Sequence, residues 1–251
     1  MYQREVQIRT AAGTADAVLQ CPDAPGPFPG VLQLTDGAGF RQAHVDLSAR
    51  IAQQGFVVLT PNIFYRTTKP PAFTFEMNFA DERTRMRFAE LTGPLTPEAT
   101  ESDAGAYVDF LAAQPQTSAG PMGVVGFCYA GQFALRTAAA RATRIAAAAS
   151  FHGGSLATDA ATSPHLVLPR VKARLYFGHA TDDRSMPPEA VQRLEAALQA
   201  WGGRYESEIY QGALHGWMIP GGRVYHQEHA ERGFAKLMDL LEGTLLSRVP
   251  A

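Results

Sequence analysis

Short runs of apolar residues alternate along this chain with segments whose apolar residues recur at helical spacing. The apolar runs predict strands at residues 31–35, 56–60, 121–128, 145–150, 174–177 and 205–210. The segments between and after them predict helices at residues 43–54, 130–141, 188–201 and 224–247. This alternation is typical of a mostly parallel sheet with helices on both faces, so we expect an α/β fold.

Two segments depart from this alternation. Residues 3–9 and 15–21 read as two strands joined by a turn at residues 11–13, which predicts an opening hairpin. Residues 65–100 form a long connection with several aromatic residues and prolines, and such connections are often functional. This segment either folds over the site as a lid or packs its aromatic side chains on the surface of the body. Because no repeat or interdomain linker is visible, we expect residues 1–251 to form a single domain.

The charge balance and the cysteine count exclude several classes of protein. Lysine and arginine total 22 and the acidic residues 24, a formal net charge of −2, so binding to nucleic acid is not expected. The sequence contains no run of 18 apolar residues, so no membrane-spanning helix is expected. The first residues lack the apolar stretch of a secretory signal, and the only cysteines are Cys21 and Cys128. We therefore expect a cytoplasmic protein with two free thiols.

A cysteine lies where an apolar strand leads into a helix, in the sequence Gly126-Phe127-Cys128-Tyr129-Ala130-Gly131. Small residues on either side allow the sharp turn known as a nucleophile elbow. A helix N-terminus favours a thiolate and a developing oxyanion because its free N–H groups point outward. The pattern makes Cys128 the candidate nucleophile, and the alternative is a buried structural cysteine at a strand end.

The loops after the last two predicted strands carry candidates for an acid and a base. Hydrolases with a nucleophile elbow place the acid and then the histidine after the nucleophile. Asp182 and Asp183 lie in the first of these loops, and His215 lies in the second. His215 would accept the thiol proton and later donate it to the leaving group, while one of the two carboxylates orients its ring.

With these motifs the sequence resembles the dienelactone hydrolase family, a branch of the α/β-hydrolases that uses a cysteine nucleophile. The resemblance extends from the strand before Asp36 to the C-terminal helix. It implies the α/β-hydrolase fold and the hydrolysis of a carboxylic ester or lactone without a cofactor. Members of the family carry the acid four residues before a proline, and counting back from Pro187 selects Asp183.

The resemblance also implies roles for residues around the nucleophile. The backbone N–H groups of Gly37 and Tyr129 would form the oxyanion hole. Asp36 stands where the family has a glutamate near the nucleophile, and it is one methylene shorter. Arg66 stands where the family has an arginine that binds the substrate carboxylate, a task suited to a guanidinium. The alternative for Arg66 is an ion pair with a local acid.

Two positions depart from the family pattern. Ala130 replaces the glycine that the family usually has two residues after the nucleophile. Ile219 replaces the family's second substrate-binding arginine, four residues after the histidine. Because one carboxylate contact is missing and Trp217 and the aromatic residues of 65–100 are present, we expect an apolar pocket for less charged esters or lactones. His152 follows a strand, where it either lines this pocket or hydrogen-bonds a loop carbonyl.

We expect no metal and no cofactor. His226 and His229 lie three residues apart, but no third zinc ligand is apparent, so they read as a solvated helix face. No glycine-rich phosphate loop is present. The expected partner is a small-molecule ester or lactone substrate, and we expect no binding to nucleic acid or to a membrane. We expect the chain to act as a monomer or a homodimer. The competing hypothesis is a non-catalytic ligand-binding or thiol-sensing protein on a hydrolase scaffold.

Overall fold

The computed structural model describes residues 1–246 and contains an eight-stranded sheet of order β1-β2-β4-β3-β5-β6-β7-β8. The strands are β1 (Tyr2–Thr10), β2 (Gly13–Cys21), β3 (Gly30–Leu34), β4 (Val57–Pro61), β5 (Met122–Phe127), β6 (Ile145–Phe151), β7 (Arg174–Ala180) and β8 (Tyr205–Tyr210). β1 pairs antiparallel with β2, and β2 pairs antiparallel with β4. All other pairs are parallel, so the predicted hairpin and mostly parallel sheet are confirmed.

Six α-helices accompany this sheet within residues 1–246. They are α1 (Gln42–Gln53), α2 (Glu82–Thr92), α3 (Pro97–Ala112), α4 (Gly131–Ala140), α5 (Pro188–Trp201) and α6 (Gln227–Leu241). The helix predicted over 224–247 begins later than expected, at Gln227, because His226 caps its first turn. Its last residue, 247, lies outside the described residues. None of these helices is long and apolar enough to cross a membrane.

The central strands β3 to β6 are buried on both faces of the sheet, which explains their nearly continuous apolar character. Successive side chains of a strand point to opposite faces, so Val124 and Val125 of β5 enter two different core clusters. The first cluster contains buried residues of α3, α4 and α5, and the second contains buried residues of α1 and α6. This arrangement confirms the expectation of helices on both faces.

The sequence prediction missed α3 altogether and read most of 65–100 as irregular. α2 has only two buried residues, Thr84 and Leu91, so it lacks a continuous apolar stripe. In α3 the buried positions include small or polar residues such as Asp103 and Ala104, which weakens the periodic signal. α3 begins at a clear boundary, because Thr96 caps it by accepting a hydrogen bond from the Ala99 N–H and Pro97 occupies its first turn.

Candidate active site

Cys128 is the first residue of a short 3₁₀ helix, Cys128–Ala130, which makes the sharp turn between β5 and α4. Its φ is 51°, a left-handed conformation that is strained for any residue with a side chain. A Cβ added to Gly126 would lie 2.2 Å from the Ala130 carbonyl oxygen, and one on Gly131 would lie 2.4 Å from Ser150 Oγ. Only glycine fits at these two positions. Ala130, in contrast, has room for its methyl group, which is fully buried in the first core cluster.

Three side chains from three different loops meet at this turn. Nε2 of His215 lies 3.0 Å from Sγ of Cys128. Nδ1 of the same imidazole lies 2.6 Å from Oδ2 of Asp183. Because β5, β7 and β8 run parallel, the loops that follow them open at one edge of the sheet. The structure therefore brings together the nucleophile, base and acid candidates in an unbroken line of contacts.

The structure distinguishes between the two adjacent aspartates. Asp183 is buried and contacts His215, whereas Asp182 is exposed and adopts a left-handed conformation with φ 52°. Burial would raise the pKa of Asp183, but hydrogen bonds from His215 and Ser185 outweigh it and hold that pKa below its usual value. Burial opposes the charged form of His215 as well, but Asp183 and Cys128 raise its pKa to about 10. The site thus favours a protonated imidazole between two acidic groups.

Ser185 belongs to this arrangement, although the sequence analysis did not single it out. Its N–H and its hydroxyl donate to Oδ1 of Asp183 at 2.8 and 2.7 Å. The hydroxyl also lies 3.1 Å from Nδ1 of His215. An aspartate side chain that accepts the N–H two residues further on is a common turn, so the Asp-x-Ser spacing was a signal available in the sequence.

Gly37 and Tyr129, the expected oxyanion residues, lie side by side under a helix of the 65–100 connection. A Cβ added to Gly37 would lie 3.8 Å from Cβ of Tyr129 and 3.0 Å from the ring of Phe88 in α2. The Phe88 ring packs edge-on against Tyr129 with centroids 5.4 Å apart. Tyr129 in turn packs against Phe133 of α4, at 5.1 Å. The aromatic connection therefore covers the residues beside Cys128.

Asp36 is held by its own loop. Its two carboxylate oxygens accept hydrogen bonds from Arg41 at 2.5 and 2.6 Å, and Oδ1 also accepts the Ala38 N–H at 2.9 Å. His44 Nε2 lies 3.3 Å from Oδ2. Burial acts to raise the pKa of Asp36, but His44 and Arg41 outweigh it and hold that pKa far below its usual range. Among the described residues no hydrogen bond joins Asp36 to Cys128, and the carboxylate instead braces the loop that carries Gly37.

Arg66 lies in an ion pair, which is the alternative that the sequence left open. Its guanidinium donates through two nitrogens to the carboxylate of Asp103 in α3. Tyr65 donates its hydroxyl to the same carboxylate at 2.7 Å. The side chains of Arg66 and Asp103 are only 12 and 6% exposed. The guanidinium is therefore already matched by a carboxylate of this chain.

His152 and Trp217 lie beneath the catalytic candidates and have almost no surface open to a ligand, being 1 and 0% exposed. The indole stacks on Tyr210 with ring centroids 4.2 Å apart and packs edge-on against His152 at 5.7 Å. The imidazole of His152 does make a hydrogen bond within the protein, but its partner is the Cys128 N–H and not a loop carbonyl. Ile219, at the position of the family's second arginine, is buried in the second core cluster.

The pair of histidines near the start of α6 has protein partners. His226 caps the helix by accepting the His229 N–H, and the two rings stack with centroids 4.1 Å apart. Nε2 of His229 lies 3.0 Å from the carbonyl oxygen of Gln211. Over residues 1–246, no group of three histidine, cysteine, aspartate or glutamate side chains could hold a metal ion.

Comparison with known proteins relates both the sequence and the fold to one family. The model of the dienelactone hydrolase family matches residues 15–245. A Synechocystis protein named "Putative carboxymethylenebutenolidase" is 25% identical over 227 residues, which cover 89% of each chain. An Escherichia coli protein of the same name is 24% identical over 220 residues, which cover 85% of this chain and 76% of the relative. A crystal structure described as "Putative Dienelactone Hydrolase" from Klebsiella pneumoniae superposes with a TM-score of 0.84 at 22% identity, covering 95% of this chain and 97% of that one.

Proposed function

Since the chain belongs to the dienelactone hydrolase family and has the α/β-hydrolase fold, we propose that it hydrolyses a carboxylic ester or lactone through an acyl-enzyme on Cys128. The observation that carries the proposal is the line of contacts from Sγ of Cys128 through His215 to Asp183, with distances of 3.0 and 2.6 Å. A structural cysteine at a strand end has no need of such partners.

The first half of the reaction acylates the cysteine. The Cys128 thiolate attacks the carbonyl carbon, the C–S bond forms, and the carbonyl π electrons move to the oxygen. The N–H groups of Gly37 and Tyr129 donate hydrogen bonds to that oxyanion. When the intermediate collapses, the C–O bond of the ester breaks and the alkoxide takes the proton of protonated His215.

The second half returns the enzyme to its starting state. His215, now neutral, removes a proton from water, and the hydroxide attacks the acyl carbon. The C–S bond then breaks and the thiolate leaves beside the protonated imidazole. Asp183 keeps the Nδ1–H of His215 directed away from the sulfur, and Ser185 holds Asp183 in place.

We propose that the substrate is neutral at the end that enters this site. Arg66 is paired with Asp103, and Arg41 is paired with Asp36, so each guanidinium is already matched by a buried carboxylate. Displacing such a carboxylate with a substrate carboxylate would leave the protein's own charge buried without a partner. Phe88, Tyr129 and Phe133 form an aromatic group beside the nucleophile, which suits an apolar acyl chain.

The proposed function is tested by steady-state hydrolysis of neutral activated esters, neutral lactones and a dicarboxylate dienelactone. We expect the neutral compounds to have the higher kcat/KM, and we expect Cys128→Ala to abolish their turnover while its circular dichroism stays unchanged. Cys21→Ala is the matched control, because Cys21 is the other free thiol and is buried in the first core cluster. Normal turnover by Cys128→Ala would exclude the mechanism, and faster turnover of the dicarboxylate would exclude the neutral substrate.

The substrate, the oligomeric state and the cellular location are inferred from the sequence alone. A small ester or lactone, a monomeric or dimeric state and a cytoplasmic location remain predictions. A protein that reacts with thiol reagents at Cys128 but turns over no member of the panel would instead support the thiol-sensing alternative.

A further inference from the structure

The segment that follows β6 holds the backbone of Cys128 from both sides. The Cys128 N–H donates to Nδ1 of His152 at 3.1 Å, and its carbonyl oxygen accepts the Gly154 N–H at 3.3 Å. His152 is itself in a left-handed conformation, with φ 40°, and its N–H is anchored on the Gly178 carbonyl of β7 at 2.7 Å. Two strained residues, Cys128 and His152, are thus tied together where β5 and β6 end.

The hydrogen bond specifies the chemical state of His152. Because Nδ1 accepts a proton donor, it carries no proton, and the neutral ring has its proton on Nε2. Nε2 is buried without a hydrogen-bond partner, and the ring packs edge-on against His215 with centroids 5.5 Å apart. Burial, and then the positive charge of His215, lower the pKa of His152 to about 3, although Asp36 and Asp183 act in the opposite direction.

We infer that His152 is a positioning residue whose neutral imidazole holds the Cys128 amide in its left-handed conformation and so keeps the sulfur within reach of His215. This inference rests on the proposed function. Strained conformations of this kind persist only where surrounding contacts hold them. Because His152 occupies the Cys128 N–H, that donor does not compete with those of Gly37 and Tyr129 for the oxyanion. Because the ring is neutral, it places no second positive charge beside His215.

Two pairs of variants separate this role from simple filling of space. His152→Phe keeps an aromatic ring but has no acceptor, and His179→Phe is the matched control. His179 is also buried and packs on an aromatic ring, but its contacts are Phe177 and Ser207 of β7 and β8. His152→Asn places an amide oxygen near the position of Nδ1, whereas the longer His152→Gln carries the same group too far from the Cys128 N–H.

The first readout is alkylation of Cys128 by iodoacetamide in a Cys21→Ala background, followed by intact mass between about pH 5 and 9. We expect His152→Phe and His152→Gln to slow alkylation at acidic pH by about tenfold or more and to change the shape of the pH profile. His152→Asn and His179→Phe should stay within about threefold of the parent. The second readout is ester hydrolysis, where His152→Phe should lower kcat and leave KM unchanged.

The outcomes distinguish this inference from the function on which it depends. If the parent reacts rapidly at acidic pH and folded His152→Phe gives the same profile, the role of His152 is wrong. If His152→Phe does not fold, equal profiles for the Asn and Gln variants overturn that role in the same way. If the parent itself shows neither acid-range alkylation nor ester turnover, it is the proposed function that fails.

Discussion

Asp183 accepts hydrogen bonds from the imidazole of His215 and from both the amide and the hydroxyl of Ser185. These donors stabilise its charged form although the carboxylate is buried. Asp182, its neighbour in sequence, is exposed. The two aspartates are chemically identical, so their different surroundings alone should decide which one matters for catalysis.

We therefore predict different effects for Asp183→Asn and Asp182→Asn. An amide at position 183 would favour the wrong tautomer of His215 and should lower kcat by a factor on the order of 10² to 10⁴. Asp182→Asn keeps the shape of the exposed loop and should leave kcat nearly unchanged. Steady-state kinetics on a neutral ester measures both, and equal losses in the two variants would contradict the assignment of the acid.

Because His152 is held neutral in the folded protein, we predict that the free energy of unfolding falls as the pH is lowered. Its pKa is about 3 in the folded protein and about 6.5 in the unfolded chain, so between these values only the unfolded chain binds the extra proton. The free energy of unfolding should then fall by about 1.4 kcal/mol for each pH unit below about 6.5 from this group alone. Its contribution is absent above about pH 7 and complete only near pH 3.

The measurement is urea unfolding of the wild-type protein, as parent, and of His152→Asn at about pH 7 and pH 5. The parent should lose about 2 kcal/mol more than the variant over this interval, because the asparagine does not titrate. Other titrating groups are shared by the two proteins and cancel in the comparison. Equal losses in both proteins would mean that His152 is not held neutral.

At the scale of elements, the turn between β5 and α4 depends on a close approach of backbone to backbone. A Cβ at Gly126 would lie 2.2 Å from the Ala130 carbonyl oxygen, which belongs to the helical turn and cannot move aside as a side chain can. The apolar run before Cys128 and the small residues around it made this element predictable from the sequence. α2 and α3 were not predictable in the same way, because their buried stripes are short or interrupted by polar residues.

Gly126→Ala should therefore destabilise the protein by several kcal/mol, on the order of 3, through the clash of the new methyl group at the elbow. Gly105→Ala is the matched control, because Gly105 lies inside α3 and its added Cβ would have no atom within 4 Å beyond its chain neighbours and the backbone of its own helix. That substitution should be neutral or stabilising by up to about 1 kcal/mol. Thermal unfolding of both variants checks the pair, and equal melting temperatures would contradict the steric account of the elbow.

At the scale of the whole molecule, the sheet brings to one edge the loops that carry the catalytic candidates. Their order along the chain and their position after strands were predictable, because apolar runs and the elbow motif mark strand ends. The ion-pair partners of the charged residues were not predictable from the sequence. Arg66 meets Asp103, 37 residues later in the unpredicted helix α3, and only the folded chain shows that this acid matches the guanidinium. The expected substrate contact of Arg66 depended on that missing information.

The Arg66–Asp103 pair links the loop after β4 to α3 and makes a testable contribution to stability. Asp103→Leu leaves the guanidinium of Arg66 buried without its carboxylate and should lower the free energy of unfolding by about 3–5 kcal/mol. Adding Arg66→Met removes the unpaired charge, so the double variant should recover most of that loss. Urea unfolding of the single and double variants tests this, and a double variant less stable than Asp103→Leu would contradict the buried pair.

The central claim is that Cys128 forms a covalent acyl intermediate, and rapid-quench mass spectrometry of the intact protein tests it most directly. The protein is mixed with a neutral activated ester, quenched in acid at successive times, and digested to locate any added mass. We predict an adduct equal to the acyl group on Cys128 that forms within one turnover and decays as the acid product appears. Cys128→Ala should show neither adduct nor turnover. Turnover by the wild-type protein with no adduct at any time, or with the acyl group on another residue, would contradict the account.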